Sequence, residues 1–280
     1  MGRGHSKTLW PLRKKAIDTL RGTGLYGYAN EATIRTKAAL TGGPLPELRF
    51  AIYGQGRTGS RLLCDLLNSH PDITCDLEIL AERASNPRSL VEAHARLAKT
   101  RAHGFKFKYY QLTERHGVHD VGGFLRDLHD GGWRYLYLSR ENVVRHALSS
   151  ILRASTGVTH RLGDKPGDRS NEYPRVTVDI DELRTWIEQK REREALELEA
   201  LGDLPRLDVV YDRDLVGADA QARATARIVE WLGLPPAEMT AKIRPNTPKK
   251  LSDLVDNLDE LRRAFDGTDV RPYLEDTPDA

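Results

Sequence analysis

The sequence predicts an α/β protein, a parallel sheet flanked by helices whose first strand runs into a phosphate-loop-like turn. Three observations carry that expectation. Short apolar runs with strand character alternate with segments of helical period, as repeated β–α units do. The first run ends in a glycine-rich turn that leads into a helix with one apolar face. The 280 residues, 39% hydrophobic and 30% charged, are enough for one large domain with a substantial core.

The elements follow in order. RFAIYG (49–54) reads as a buried strand. SRLLCDLLNSH (60–70) reads as a helix with Leu62, Leu63, Leu66 and Leu67 on one face, closed by His70. ITCDLEIL (73–80) is a short extended segment. Ser89 and Glu92 have capping-box spacing and predict a helix to about Lys99. GFKFKYY (104–110) predicts a strand, 119–130 a helix and WRYLYLS (133–139) a strand. The next helix runs from Glu141 to about Ser155, with Val144, Ala147, Leu148 and Ile151 facing inward. The polar stretch 156–177 is a loop. Asp179 and Glu182 open a long helix to about Leu201, in which EQKREREALELEA (188–200) reads as a solvated charged face. PRLDVVY (205–211) is a strand, and the helix after it ends at Gly233. Leu251, Leu254, Val255, Leu258, Leu261 and Phe265 predict one last helix.

Ahead of the strands, residues 8–21 form a basic amphipathic pattern, and TGGPLP (41–46) reads as a linker. The chain thus divides into a basic helical arm (1–47) and a main domain (48–280). Residues 1–49 hold nine Lys or Arg against three Asp or Glu, yet the whole chain nets only +2. That excess is too small for a nucleic-acid-binding surface. The basic helix face either meets solvent or makes weak peripheral contact with an anionic membrane surface. No apolar run would span a bilayer and no signal-peptide pattern is present, so the expected location is cytoplasmic. Cys64 and Cys75 read as buried thiols.

Ligands of parallel sheets bind beyond the carboxyl ends of the strands, here Gly54–Ser60, Leu138–Glu141 and Tyr211–Asp214. In YGQGRTGSRLL (53–63) the glycines permit sharp turns, and the amides of Gly59, Ser60 and Arg61 begin a helix. Free amides at a helix start make an anion site, to which Arg57 and Arg61 add charge and Thr58 and Ser60 add hydroxyls. The P-loop pattern would need a lysine at Ser60 and a hydroxyl at Arg61. The strand 133–139 ends in Ser139-Arg140, where a magnesium-binding aspartate would be expected. The pattern is one for anions without a metal.

RTGSRLLCDLLNSHPDI is similar to the 5′-phosphosulfate loop of sulfotransferases that use PAPS (3′-phosphoadenosine 5′-phosphosulfate). YLSRENVVRHALSS resembles their 3′-phosphate motif, with Arg140 at a strand end and Ser149 on the next helix. The nine-residue spacing is that of the bacterial carbohydrate enzymes of the trehalose and nodulation-factor type. GFKFKYYQ, LDVVYDRDL and TPKKLSDLVDNLDEL are weaker echoes, and the resemblance covers residues 48–274. The departures are Arg61, where threonine is commoner, and Gln55-Gly56 ahead of the loop.

The resemblance implies the sulfotransferase fold, PAPS as donor, PAP as product and a small hydroxyl-bearing acceptor, such as a carbohydrate or glycolipid. Arg57, Thr58, Gly59, Ser60 and Arg61 would hold the 5′ end of the nucleotide, and Arg140 and Ser149 its 3′-phosphate. Arg57 would also offset charge on the leaving phosphate oxygen. Glu78 is the expected general base, with Asp76 its competitor. Lys106 either meets the sulfuryl oxygens or snorkels with Lys108 at a sheet edge. Lys249 and Lys250 either reach the nucleotide or lie at the surface. No metal is expected, because His116, His119 and Asp120 lack a third-ligand set. Two other readings remain open: a PAP-binding protein without turnover, and a nucleotide-dependent kinase, against which the missing P-loop lysine counts.

Overall fold

A computed structural model describes residues 25–156, 175–243 and 250–276. The sheet has five parallel strands in the order β2-β3-β1-β4-β5. In chain order they are β1 (Leu48–Tyr53), β2 (Ile73–Asp76), β3 (Ala102–Phe107), β4 (Trp133–Ser139) and β5 (Arg206–Val210). The helices are α1 (Leu25–Thr41), α2 (Ser60–Asn68), α3 (Pro87–Leu97), α4 (Val121–Asp130), α5 (Val143–Thr156), α6 (Ile180–Leu201), α7 (Ala218–Leu232) and α8 (Leu258–Ala264). The architecture is the α/β one that the alternation predicts.

Alternation along β1 builds two cores. Phe50 and Ile52 pack with Leu63 and Leu67 of α2 and Ile228 of α7. Ala51 and Tyr53 face the other side, with Val91 of α3, Leu125 of α4 and Tyr135 of β4. Strands buried on both faces read as continuous apolar runs, which is why β1 and β4 are legible. A third cluster joins α5 and the start of α6 to the tail. Cys64 and Cys75 are free and buried, with their sulfurs 3.3 Å apart.

Four local expectations need correction. The cap of α3 is Asn86, whose side chain accepts from the Ser89 amide at 2.9 Å, with Pro87 at the first helical turn; Glu92 pairs with Arg88 instead of completing a box. The segment 73–76 is a true edge strand paired with β3. The tail is not one helix. Its backbone breaks so that Val176 donates to Leu254 O at 2.8 Å, Asp256 donates to Val176 O at 3.0 Å, and the Asn257 side chain bonds both backbone groups of Val178. The six apolar tail residues are nevertheless all buried together. Finally, α1 forms where no helix was expected. Its buried Glu31 accepts from the amides of Ser85 and Asn86 ahead of α3. The expected helix over 8–21 and most of the loop over 156–177 lie outside the described residues.

Candidate functional site

The turn after β1 occupies the centre of the sheet's carboxyl edge. Gly54 has φ 142° and a Cβ there would lie 2.2 Å from the Leu138 carbonyl oxygen. Gly59 has φ 81°, and a Cβ would lie 2.4 Å from the Tyr211 ring. Between them Arg57 also takes a left-handed conformation, φ 69°, the one non-glycine residue to do so among the described residues. Strain of that kind costs about 1–3 kcal/mol and must be held by its surroundings.

What holds it is a set of side-chain donors. Lys106 Nζ donates to Gly54 O. Thr58 Oγ1 donates to Gln55 O at 2.9 Å. His146 Nε2 lies 2.8 Å from Gly56 O, so that nitrogen carries the proton. Arg140 Nη1 donates to Arg57 O at 3.3 Å. Four consecutive carbonyls are thus turned toward side chains. No side chain caps α2, whose N-cap is Gly59, so its first-turn amides keep their donors for an incoming anion. Gly54→Ala should therefore cost about 1–3 kcal/mol and lower the thermal midpoint by several degrees. An unchanged midpoint by calorimetry would contradict this packing.

The second motif meets the first. Arg57 Nε donates to Ser149 Oγ of α5 at 2.8 Å. Arg140, 7% exposed at the end of β4, lies over the Tyr211 ring at 4.6 Å and within 3.5 Å of Asp212. The atom 3.5 Å from Asp212 is its Nε, which is buried and makes no hydrogen bond. Arg145 stands nearby, its pKa depressed by burial and then by Arg140. Thr58 is buried, Ser60 half-buried and Arg61 exposed on the first turn of α2. Lys250 is exposed ahead of a short turn, and Lys249 lies outside the described residues.

The lysines of β3 separate. Lys106 is not at a sheet edge, because β3 lies between β2 and β1. It is 0% exposed, and its ammonium bonds Gly54 O and Phe107 O beneath the turn. Burial pushes its pKa down to about 8, with Glu197 opposing the shift. Lys108 instead lies against Gly56 and pairs with Glu78 at 2.6 Å. Glu78 also accepts from Gln111 Nε2 at 2.9 Å. Asp76 faces elsewhere, 3.1 Å from His103 and 3.4 Å from His94. Burial alone would raise its pKa, but these two histidines hold it well below the usual carboxylate range. His116 spends its ring on the backbone of Leu80 and Ala84.

Helix α6 contributes what the sequence reading missed. Its charges are not all solvated: Lys190 is 5% and Glu197 2% exposed. Gln55 Nε2 donates to Lys190 O at 2.8 Å and fastens this helix to the turn. Glu197 lies 3.4 Å from the Tyr137 hydroxyl, and burial pushes its pKa up to about 7, opposed by Lys106. A signal existed. Leu183, Ile187, Lys190, Glu197 and Leu201 continue one helical stripe, so the flanking apolar residues mark both charges as inward. Between α6 and Tyr109–Tyr110 a cavity of about 170 Å³ opens beside Gly56 and Lys108.

The chain matches no protein-family model and no curated protein sequence. Among solved structures it is similar to a sulfotransferase from Alicyclobacillus acidocaldarius, at 13% identity and a TM-score of 0.43, over 81% of this chain and 92% of that one. It is also similar to mouse sulfotransferase SULT7A1 complexed with PAP, at 16% identity and a TM-score of 0.40, over 73% of this chain and 65% of that one. No helix among the described residues is long and apolar enough to cross a membrane.

Proposed function

We propose that this chain is a PAPS-dependent sulfotransferase that acts on a hydroxyl of a small acceptor. One observation carries the reading: Arg57 of the turn, Ser149 of α5 and Arg140 of β4, 92 and 83 residues from Arg57, meet in one cluster. A nucleotide with a phosphate at each end of its ribose asks for two such neighbouring anion sites. The residues fit. The uncapped start of α2 and the loop amides would take the 5′ end, with Arg57, Thr58, Ser60 and Arg61 around it. The buried Arg140 guanidinium and the Ser149 hydroxyl would take the 3′-phosphate.

PAPS supplies an activated sulfuryl group. The loop amides and Arg57 offset negative charge on the phosphate side. Lys106 adds positive charge beneath the loop through Gly54. Glu78, paired with the cavity-lining Lys108, accepts the hydroxyl proton of the acceptor, and Lys108 orients it. Lys250 and Lys249 would approach the nucleotide from the tail. The acceptor enters beside Gly56, where Tyr109 and Tyr110 supply flat walls.

PAP without magnesium is expected to raise the thermal midpoint by several degrees, since a ligand at a hundred times its Kd adds about 2.7 kcal/mol. No shift with PAP, together with a magnesium-dependent shift with ATP, would promote the kinase reading instead.

A further inference from the structure

We propose that Lys190 of α6 is a further catalytic residue, the cation that meets the oxygens of the sulfuryl group during transfer. The inference rests on the sulfotransferase reading above.

Its first support is place. A narrow crevice behind the turn is lined by Thr58, Arg140 and His146, and the larger cavity by Gly56, Lys108 and Tyr110. Of their linings, Gln55, Lys190 and Glu197 are common to both. Lys190 therefore stands where the nucleotide side meets the acceptor side, the region a sulfuryl group crosses. Gln55 fixes it there through the Lys190 carbonyl.

Its second support is an unanswered charge. Among the described residues no carboxylate lies within ion-pair distance of the Lys190 ammonium. The ammonium lies 5.7 Å from the centre of the Trp186 ring. Burying an ammonium without a bonded carboxylate is costly, and an anionic ligand would reduce that cost. Burial, then Arg193, lower its pKa to about 8; Glu197 raises it, and Arg57 and Lys108 lower it further. An arriving anion shifts it back toward the charged form.

Its third support is that Arg57, Lys106 and Lys108, the cations around the turn, are engaged. Arg57 bonds Ser149, Lys106 bonds two carbonyls, and Lys108 bonds Glu78. In the transfer, the acceptor oxygen forms a bond to sulfur while the bond from sulfur to the phosphate oxygen breaks. That electron pair stays on the departing phosphate, and the hydroxyl proton passes to Glu78. Lys190 keeps its proton and balances charge on the three sulfuryl oxygens not engaged in either bond.

The test uses the full chain carrying Lys190→Met or Lys190→Arg, titrated calorimetrically with PAP and with PAPS in the absence of acceptor. In Lys190→Met, PAP affinity should stay within about threefold of wild type, while PAPS affinity falls about 10- to 100-fold. The midpoint of the ligand-free variant should stay close to that of wild type, because no carboxylate is bonded to the ammonium. Lys190→Arg should recover part of the PAPS affinity and part of the turnover. Unchanged PAPS affinity in Lys190→Met would overturn the inference. So would an equal loss for PAP and PAPS, which would make Lys190 a support of the loop. Should Lys190→Met not fold, Lys190→Gln decides by the same two titrations. Wild-type protein that binds neither nucleotide would instead overturn the sulfotransferase reading, and this inference with it.

Discussion

Glu78→Gln is expected to keep PAP affinity and to lose about 10²–10⁴-fold in turnover. The carboxylate stands 2.6 Å from Lys108, whose side chain lies against Gly56 and lines the cavity, so Lys108 connects it to both. Glutamine can still accept from Lys108, which spares the local structure, but it cannot take a proton. Asp76→Asn should do far less, because that carboxylate is committed to His94 and His103. Parallel turnover assays and PAP titrations on both variants check this. Unchanged turnover in Glu78→Gln would clear Glu78 as base. A loss of PAP affinity would mean that Glu78 supports the loop through Lys108.

Arg140→Ala is expected to weaken PAP binding about 10- to 150-fold, the value of one charge-assisted hydrogen-bond set of about 1.5–3 kcal/mol. Ser149→Ala should lose nearer fivefold, since a neutral hydrogen bond contributes about 1 kcal/mol. The ligand-free protein should survive Arg140→Ala, because Asp212 still accepts from the Asn142 amide at 3.0 Å and stays partly solvated. Calorimetric titration and a melting curve of each variant read the two effects separately. If Arg140→Ala unfolds the protein, the guanidinium is a structural tie between β4 and Asp212.

The sheet and its central turn were legible because β1, α2 and β4 each announce themselves locally: a run buried on both faces, a leucine stripe, an arginine at a strand end. The side-chain ties that hold the turn were not. Lys106 and His146 reach it from β3 and α5, Gln55 of the turn reaches out to Lys190 O of α6, and no spacing in the sequence encodes those distances. Helix α6 misled for a different reason. Eight of its central residues are charged, and counting charge hides a stripe on which Lys190 and Glu197 sit in line with Ile187 and Leu201. Helix α1 was missed because a polar residue, Glu31, is among the few it buries, bonded to backbone 54 and 55 residues away. The tail failed at Asn257, where side-chain bonds to Val178 compete with helix continuation.

The central claim is that two neighbouring anion sites, the turn and the Arg140–Ser149 pair, hold one nucleotide by both its phosphates. Calorimetric titration of the ligand-free chain with PAP and with 5′-AMP, without magnesium, tests it without knowledge of the acceptor. The two ligands differ only in the 3′-phosphate. The account predicts that PAP binds at least about tenfold more tightly than 5′-AMP, and that Arg140→Ala removes most of the difference. Equal affinities for the two, or no binding of either, would contradict it.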